Sequence, residues 1–427
     1  MTRILTSLFC VLVLASCSRV TGSAPLPVTP LTGAPDRNPE TGTGYRLLYS
    51  FAGGADAAFP FAGLANVNGE LYGTAGGGGK SSECGDGGCG AVFEISTSGS
   101  ESVLYRFKSI PDGAIPRAGM IVLNGVLYGT TSQGGSAGTT CTAGCGTVFD
   151  VDTSGNEHVL YAFQGGTADG AGPEASLAAL NGTLYGTTLE GGPTSTTCPK
   201  GCGTVFAINA SGTERVLHTF KASPDGIRPE AGLLALKGKL YGTTSGGGAN
   251  NAGTVFDIST SGKEHVLYSF SGGLDGAYPS AGLVEANGKL YGTTVAGGGK
   301  KGACSCGAVF EISPSGSGEH VVYPFKGGKD GESPYAPVVV VNHKLYGTTA
   351  AGGIYGTGGC TRSFRCGTVF EVAESGKERI LHRFTGYPDG AYPYAGLVDV
   401  SGTLYGTTSQ GGSTPTGCCG TVFKISP

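Results

Sequence analysis

The sequence predicts an all-β fold, a seven-bladed β-propeller made of four-stranded antiparallel blades and closed into a ring. Three observations lead to this prediction. The tripeptide Leu-Tyr-Gly recurs in seven copies at intervals of 50–59 residues, and a period of this length is typical of propellers and solenoids. Each copy carries the same four short apolar runs, and the two ends of the chain hold complementary parts of one copy.

The four apolar runs have the composition of β-strands. They are rich in Val, Leu, Tyr, Phe and Thr and are bounded by Gly, Asn, Ser or Pro, which is typical of strands and turns rather than helices. We call them strands A to D in chain order. In the fifth copy they are predicted at residues 281–286, 289–294, 307–312 and 319–325.

The two ends of the repeat region complement each other. Residues 45–51 match the D strands, but no A, B or C run precedes them, whereas residues 421–427 form a C strand with no D strand after it. Pairing 47–51 beside 422–425 would complete the seventh blade and remove an exposed sheet edge. We therefore predict that residues 45–427 form one propeller that is closed by its first strand.

Composition and charge exclude some classes of function. The 81 glycines stand at fixed places in each repeat, which indicates turns rather than disorder. Charged residues make up only 14 % and the formal net charge is −4. No basic stripe is present, so nucleic acid is not expected as a partner.

The amino terminus resembles a bacterial lipoprotein signal peptide. A basic start at Arg3 precedes an apolar stretch over 4–14, and Leu-Ala-Ser-Cys ends at Cys17. The resemblance implies a signal peptide over 1–16 and lipidation of Cys17, with an ordinary secretory signal as the alternative. Residues 17–44 are rich in Pro, Gly, Ser and Thr and are predicted to be a disordered tether. The protein is thus expected to be exported and lipid-anchored, at the outer membrane or cell surface.

The connections between strands differ in length, and this predicts two different rims. The A–B and C–D connections are tight Asn-Gly and Ser-Gly turns. The D–A and B–C connections are longer and more variable, and in an up-and-down blade they share the opposite rim. Because binding sites favour variable loops on a rigid scaffold, we expect the working face on this second rim, here called the loop rim.

Twelve cysteines come in pairs within the B–C loops, and the shorter loop of the fourth copy lacks both members. Paired loss favours disulfides within single loops, as an exported protein permits. A zinc site, to which Cys198 and Cys202 could supply half of the ligands, and free thiols are the alternatives. The pairs are Cys84 and Cys89, Cys141 and Cys145, Cys198 and Cys202, Cys304 and Cys306, Cys360 and Cys366, and Cys418 and Cys419.

Every D–A loop carries an aspartate in register, followed by Gly in every case except Asp56. The structural interpretation is an Asp-Gly turn in which the carboxylate accepts backbone N–H bonds, and the sevenfold repetition favours it. The functional interpretation is a ring of Ca²⁺ ligands, and no other cofactor is expected. The metal candidates are Asp112, Asp169, Asp225, Asp275, Asp330 and Asp389.

Every D–A loop has a proline at the same place after the aspartate. The residues on either side of this proline differ between copies and divide into two arcs. Once the ring closes, one arc is aromatic and the other is charged, and gap-filling between blades is the alternative role for the aromatic rings. An aromatic platform of this kind would suit a sugar or peptide ligand. The aromatic arc is Phe59, Phe61, Tyr278, Tyr335, Tyr392 and Tyr394; the charged arc is Arg117, Glu174, Arg228 and Glu230.

The repeat itself resembles the GloVer tandem repeat of exported bacterial proteins. The resemblance rests on Gly-Lys-Leu-Tyr-Gly-Thr-Thr, Gly-Thr-Val-Phe-Glu-Ile, Ser-Gly and Val-Leu-Tyr-Ser-Phe, and it covers nearly everything from residue 47 onwards. It implies export and surface anchoring. The repeat brings no known catalytic residues.

Two functions of different class follow from these observations. The first is a monomeric, surface-anchored binding module for a glycan, peptide or protein. The second is a polysaccharide hydrolase or lyase that uses the charged residues at the mouth of the ring. The sequence contains none of the common nucleophile, phosphate-loop or zinc-peptidase motifs, so no catalytic residue is predicted and the binding module is favoured.

Overall fold

The computed structural model describes residues 44–427 except 82, 86, 138–139, 210, 300–303, 355–359, 361–364 and 414–417. These residues form seven four-stranded antiparallel sheets, each the blade of a propeller, which confirms the predicted fold class. No helix in this part of the chain is long and apolar enough to cross a membrane. The predicted signal peptide, Cys17 and all but the last residue of the predicted tether lie outside the described residues.

Each blade runs from an inner A strand to an outer D strand. The A strands are Ala65–Val67, Ile121–Leu123, Ala178–Leu180, Leu234–Leu236, Val284–Ala286, Val339–Val341 and Val398–Val400. The B strands are Glu70–Ala75, Val126–Thr131, Thr183–Thr188, Lys239–Thr244, Lys289–Thr294, Lys344–Thr349 and Thr403–Thr408. The C strands are Ala91–Ile95, Thr147–Val151, Thr204–Ile208, Thr254–Ser259, Ala308–Ile312, Thr368–Ala373 and Thr421–Ile425. The D strands are Glu101–Arg106, Glu157–Ala162, Glu214–Thr219, Glu264–Ser269, His320–Pro324, Glu378–Arg383 and, in the seventh blade, Arg46–Ser50.

The first strand completes the seventh blade. Arg46–Ser50 pairs antiparallel with Thr421–Ile425, with Arg46 opposite Lys424 and Ser50 opposite Thr421. Phe51 directly follows this strand and is fully buried. The chain therefore has no unpaired D edge at its last blade, and the ring joins blade seven to blade one.

Phenylalanine pairs pack each blade on the next. In every interface the Phe that follows a D strand meets the Phe of the next blade's C strand edge-on, with ring centroids 4.9–5.3 Å apart. The Gly of Leu-Tyr-Gly makes room for the second ring, because a Cβ on Gly73 would stand 2.3 Å from Cζ of Phe93. The glycine of the repeated tripeptide and the phenylalanine of Val-Phe therefore pack directly against each other.

The inner strands crowd around the axis of the ring. A Cβ on Gly63 would lie 3.1 Å from the carbonyl oxygen of Gly396, and one on Gly119 would lie 3.1 Å from that of Gly63. Residues at this level therefore pack against the neighbouring blade's backbone instead of pairing within their own sheet. For this reason the fifth A strand begins at Val284 and not at residue 281 as the apolar pattern predicts.

The threonine that directly follows Leu-Tyr-Gly in each repeat links adjacent blades. The hydroxyl of the Thr after Leu-Tyr-Gly donates a hydrogen bond, 2.8–3.3 Å long, to an alanine carbonyl of the next blade. Thr187, for example, is 1 % exposed and bonds to Ala231. The Thr-Thr part of the repeat is thus an inter-blade contact as well as a strand former.

Replacing Thr187 with Val should lower the free energy of unfolding by about 1–3 kcal/mol, because the buried carbonyl of Ala231 loses this donor. Denaturant unfolding measures the change. Thr213→Val, at an exposed turn on the opposite rim, is the matched control and should leave stability nearly unchanged. Equal effects of the two substitutions would contradict an inter-blade role for this hydroxyl.

Candidate functional site

The D–A and B–C loops of each blade meet on one rim, which is where the sequence places the working face. In six blades they form a two-residue antiparallel ladder, and in blade five a single bridge joins Ala277 and Ala296. The ladders pair Ala57–Ala58 with Gly77–Gly78, Gly113–Ala114 with Gln133–Gly134, Gly170–Ala171 with Glu190–Gly191, Gly226–Ile227 with Gly246–Gly247, Gly331–Glu332 with Ala351–Gly352, and Gly390–Ala391 with Gln410–Gly411. The loop rim is therefore a hydrogen-bonded platform.

The residue before each loop proline joins two blades through its backbone. Tyr278 shows the pattern: its N–H donates to the carbonyl of Ala252 in the preceding blade at 2.8 Å, and its own carbonyl accepts from the N–H of Val295 at 3.2 Å. The position has a φ of 60° at Tyr278 and 55° at Ile115, and blade three has Gly172 there. Bulky L-residues rarely adopt this conformation. The positive φ at this position is therefore imposed by the inter-blade backbone hydrogen bonds and not by the side chain that the residue carries.

Each of the six cysteine pairs forms a disulfide bond within its own B–C loop. The carbonyl of the second cysteine accepts the inter-blade hydrogen bond just described, as Cys202 does from Arg228 at 2.9 Å. The disulfides thus hold the loop that fixes the next blade's proline segment. Disulfides of this number indicate an exported protein.

The aspartates of the D–A loops cap those loops. Asp169 accepts hydrogen bonds from the Tyr161 hydroxyl at 3.0 Å and from the backbone N–H groups of Gln164 at 2.7 Å and Gly170 at 2.6 Å. The other loops use equivalent donors, with His218 and His382 in the tyrosine position of two interfaces. Asp275 differs in one respect, because its second oxygen accepts from the Ser271 hydroxyl and the Gly273 backbone N–H. Both oxygens of such a carboxylate already accept hydrogen bonds, which is the geometry of the structural interpretation.

The aromatic and charged candidate residues differ in how deeply their side chains are buried. Phe59 is only 7 % exposed and belongs to a core cluster, and Tyr392 packs against another core cluster. Phe59 fills space between blades, so we do not retain it as a ligand contact, whereas Tyr392 is only partly buried and stays a predicted contact. Tyr278 is 49 % exposed, and Arg228 forms an ion pair with Glu230 at 3.2 Å.

The residues after the loop prolines occupy the entrance to the axis. They stand two residues before the tightly packed positions of Gly63 and its counterparts, on the side of the loop rim. We call the residues that directly follow the seven loop prolines the mouth ring: Phe61, Arg117, Glu174, Glu230, Ser280, Tyr335 and Tyr394.

One half of the mouth ring is a continuous aromatic surface. Tyr335 meets Tyr394 edge-on with centroids 5.4 Å apart, and Tyr394 lies 6.1 Å from Phe61 across the closure of the ring. The guanidinium of Arg117 lies over the Phe61 ring at 5.8 Å. Four successive blades, six, seven, one and two, thus join their side chains at the entrance.

Blades two to four contribute charged residues to the mouth ring, and blade five contributes Ser280. Arg117 and Glu174 form an ion pair at 3.6 Å with side chains 23 % and 27 % exposed. Burial raises the pKa of the Glu174 carboxyl and the charge of Glu230 adds to the rise, while Arg117 and Arg228 oppose it. These groups offer a ligand both donors and acceptors with little net charge.

A second set of carboxyls, which the sequence analysis did not single out, lies at the outer edge of six interfaces. It consists of the glutamate at or just before the start of the D strand in blades one to six. Beside each glutamate lie the tyrosine or histidine of the preceding blade's D strand and the aspartate of the D–A loop that follows that strand. The glutamates are Glu101, Glu157, Glu214, Glu264, Glu319 and Glu378. Burial, together with a neighbouring aspartate, raises the pKa of each of these carboxyls to about 7. One oxygen of each is buried without a hydrogen-bond partner. The glutamate recurs in register at the start of these six D strands, which was the available signal.

Comparison with known proteins places the repeat and gives only distant structural likenesses. The family described as Gloeobacter/Verrucomicrobia repeat matches residues 137–361 and 300–427. No curated protein sequence matches the chain.

Three solved structures are similar to the chain at low identity. One is described as a gluconolactonase, with 14 % identity, a TM-score of 0.39, and coverage of 72 % of this chain and 89 % of that one. A luciferin-regenerating enzyme has 10 % identity and a TM-score of 0.39, with coverage of 87 % and 92 %. The sialidase of Trypanosoma rangeli has 11 % identity and a TM-score of 0.44; the match covers 90 % of this chain and 59 % of the sialidase.

Proposed function

This chain belongs to the Gloeobacter/Verrucomicrobia repeat family, and we propose that its propeller is an exported binding module whose ligand docks on the mouth ring. The observation that carries the proposal is the side-chain continuity from Tyr335 through Tyr394 and Phe61 to Arg117. Packing and hydrogen bonding between blades explain why Leu-Tyr-Gly, Val-Phe and the following Thr recur in every repeat. Packing between blades does not explain why four successive blades place three aromatic rings and one arginine at a common entrance.

A glycan is the ligand class that suits these groups best. Aromatic faces provide apolar surface that can stack on the C–H face of a pyranose ring. The adjacent Arg117–Glu174 pair presents donors and acceptors that can hydrogen-bond to neighbouring hydroxyl groups. The near balance of charge at the mouth favours a neutral sugar over an acidic one, with peptide or protein ligands as other outcomes of the test.

We also propose that the module is a monomer tethered to a membrane. The disulfide bonds support export. Lipidation of Cys17 would anchor the chain, and a flexible tether over residues 17–44 would hold the propeller away from the lipid surface. An outer-membrane or cell-surface position agrees with a ligand-binding face that must reach extracellular polymers.

The charged half of the mouth ring supports a second candidate, a hydrolase or lyase acting on a polysaccharide. Burial raises the pKa of Glu174, and the negative charge of Glu230 acts on the same group. A carboxyl with a raised pKa beside a second carboxyl is the arrangement used by acid–base glycosidases. Glu174→Gln would abolish turnover in this case, whereas a binding module would keep most of its affinity.

A retention screen tests the proposal. The soluble protein would be passed over immobilised neutral glycans, acidic glycans, peptidoglycan fragments and peptides, and the eluate would be analysed for cleavage products. Retention on a neutral glycan without new products is the expected result. Release of shortened chains would favour the enzyme, and retention on peptides alone would overturn the assignment of the ligand class.

Once a ligand is known, replacing Tyr335 and Tyr394 together with Ala should weaken its binding by more than 1 kcal/mol, about the value of a good aromatic contact. Isothermal titration measures the affinity. Tyr278→Ala removes an exposed ring from the same rim outside the mouth ring and should change the affinity little. A lowered melting temperature with unchanged affinity would mean that Tyr335 and Tyr394 serve only the packing of the blades.

A further inference from the structure

One of the outer inter-blade clusters has the composition of a metal site. His218 is the penultimate residue of the D strand of blade three, Asp225 lies in the loop that follows, and Glu264 begins the D strand of blade four. The candidate ligand atoms of these three side chains all lie within 4.8 Å of one another. We propose that His218, Asp225 and Glu264 bind a divalent transition-metal cation such as Zn²⁺ between blades three and four.

The sevenfold repeat provides an internal comparison for this cluster. Five interfaces place a tyrosine where His218 stands, and a phenol must lose a proton with an ordinary pKa of about 10 to become a good metal ligand, whereas an imidazole binds metals in its neutral form. These tyrosines are Tyr49, Tyr105, Tyr161, Tyr268 and Tyr323. The remaining interface has His382 but carries Tyr45 in place of the glutamate, and the two rings stack 3.6 Å apart. Among the described interfaces, only the one between blades three and four combines an imidazole with both carboxyls.

The geometry of the three groups suits a small cation. The Nε2 atom of His218 lies 3.1 Å from Oδ2 of Asp225, and ligand atoms about 2.0 Å from a tetrahedral zinc ion are about 3.3 Å apart. The backbone N–H groups of Lys221 and Gly226 hold the Asp225 carboxylate at 3.1 and 2.7 Å. Such outer contacts orient a carboxylate toward a metal before it binds, and one water would complete a four-coordinate site.

The charges of the cluster also favour a cation. Oε1 of Glu264 is buried without a hydrogen-bond partner, and the Asp225 carboxylate lies within 4.8 Å of the Glu264 ligand atom. The same unpartnered oxygen occurs at the other interfaces, so it does not mark the site alone; the imidazole distinguishes this one.

The proposed site would cross-link the blade that lacks a disulfide. Blade four has no cysteine in its B–C loop. Asp225 accepts a backbone hydrogen bond from Gly248 of that same loop. A cation held by two blades would fix this segment from the outer side of the ring.

Equilibrium dialysis of the full-length protein against ZnCl₂, with thiol titration to verify that the cysteines remain oxidised, tests the proposal. One equivalent of zinc should bind and raise the melting temperature. His218→Tyr, which installs the residue found at five other interfaces and should fold normally, is expected to weaken binding at least about 100-fold. Tyr161→His, beside Asp169 and Glu214, should create a second site of the same kind.

His382→Tyr is the matched control, because its interface has Tyr45 instead of the glutamate, and it should still bind one equivalent. No zinc bound to the unmodified protein would overturn the proposal. Stoichiometric zinc retained by a folded His218→Tyr variant would overturn it too, since the metal would then be held elsewhere. The outcome does not depend on whether the mouth ring binds a glycan.

Discussion

A chain that begins at residue 52 is expected to lose cooperative unfolding and to self-associate through its seventh blade. The deletion removes the strand Arg46–Ser50, which pairs with Thr421–Ile425, and leaves that C strand as an open edge. It also removes Phe51, which is fully buried against Phe93 with centroids 4.9 Å apart. Burial of one such ring is worth about 3–5 kcal/mol, and the lost strand pairing adds to this.

Denaturant unfolding and size-exclusion chromatography measure the consequence, with a chain that begins at residue 44 as the control. The control keeps the closing strand, and Tyr45 retains its stacking on His382 at 3.6 Å. It should unfold in one transition as a monomer. Equal melting of the two chains would show that the first strand does not close the ring.

The stability of the propeller is expected to fall as the pH rises from about 5 to about 8. The outer glutamates have pKa values raised to about 7 in the folded protein by burial and by a neighbouring aspartate, while in the unfolded chain a Glu titrates near 4.3. The folded state therefore binds more protons between these values, and the stabilisation present below the unfolded pKa is lost as the pH passes the folded one. After discounting for partial exposure, each interface contributes on the order of 1 kcal/mol.

Other carboxyls set the acidic limit of this pH profile. Hydrogen bonds and nearby cations hold the pKa of Glu371, Asp257 and Asp389 below the usual range despite an opposing effect of burial. The stability these groups contribute is lost as the pH falls through their folded pKa values. The two sets together predict a maximum of stability near pH 5.

Glutamine substitutions isolate the outer carboxyls. A variant with Gln at all six outer glutamates should have a much flatter unfolding free energy between pH 5 and pH 8, because Gln does not titrate. Glu70→Gln, at the start of a B strand, should leave the slope unchanged. Denaturant unfolding at several pH values decides; an unchanged slope in the sixfold variant would contradict the assignment.

The fold could be predicted because the constraints on it are repeated. Leu-Tyr-Gly and Val-Phe recur since each interface needs the same space around its phenylalanine, as the Gly73–Phe93 contact shows. Strand ends were less predictable. The fifth A strand starts late because Gly282 packs on the backbone of Gly232, a contact between residues far apart in the chain that no local pattern reveals.

The candidate site could be predicted only in part. The sequence identifies the residues beside the loop prolines as variable, but in blades one and seven both sides of the proline carry aromatic residues. The inter-blade hydrogen bonds of the preceding residue determine that Phe59 turns into the core while Phe61 reaches the entrance. The outer glutamates were missed because their aspartate partners lie in the D–A loop at the start of the blade, about 45 residues earlier in the chain.

The location of a bound ligand is the most direct test of the central claim, that function resides at the one level where the blades differ. A crystal structure of the protein with a glycan recovered from the retention screen would give that location. We predict a sugar ring within contact distance of Tyr335, Tyr394 or Phe61, with hydroxyl groups hydrogen-bonded to Arg117 or Glu174. A ligand seated on the opposite rim, among the tight A–B and C–D turns, would contradict the account.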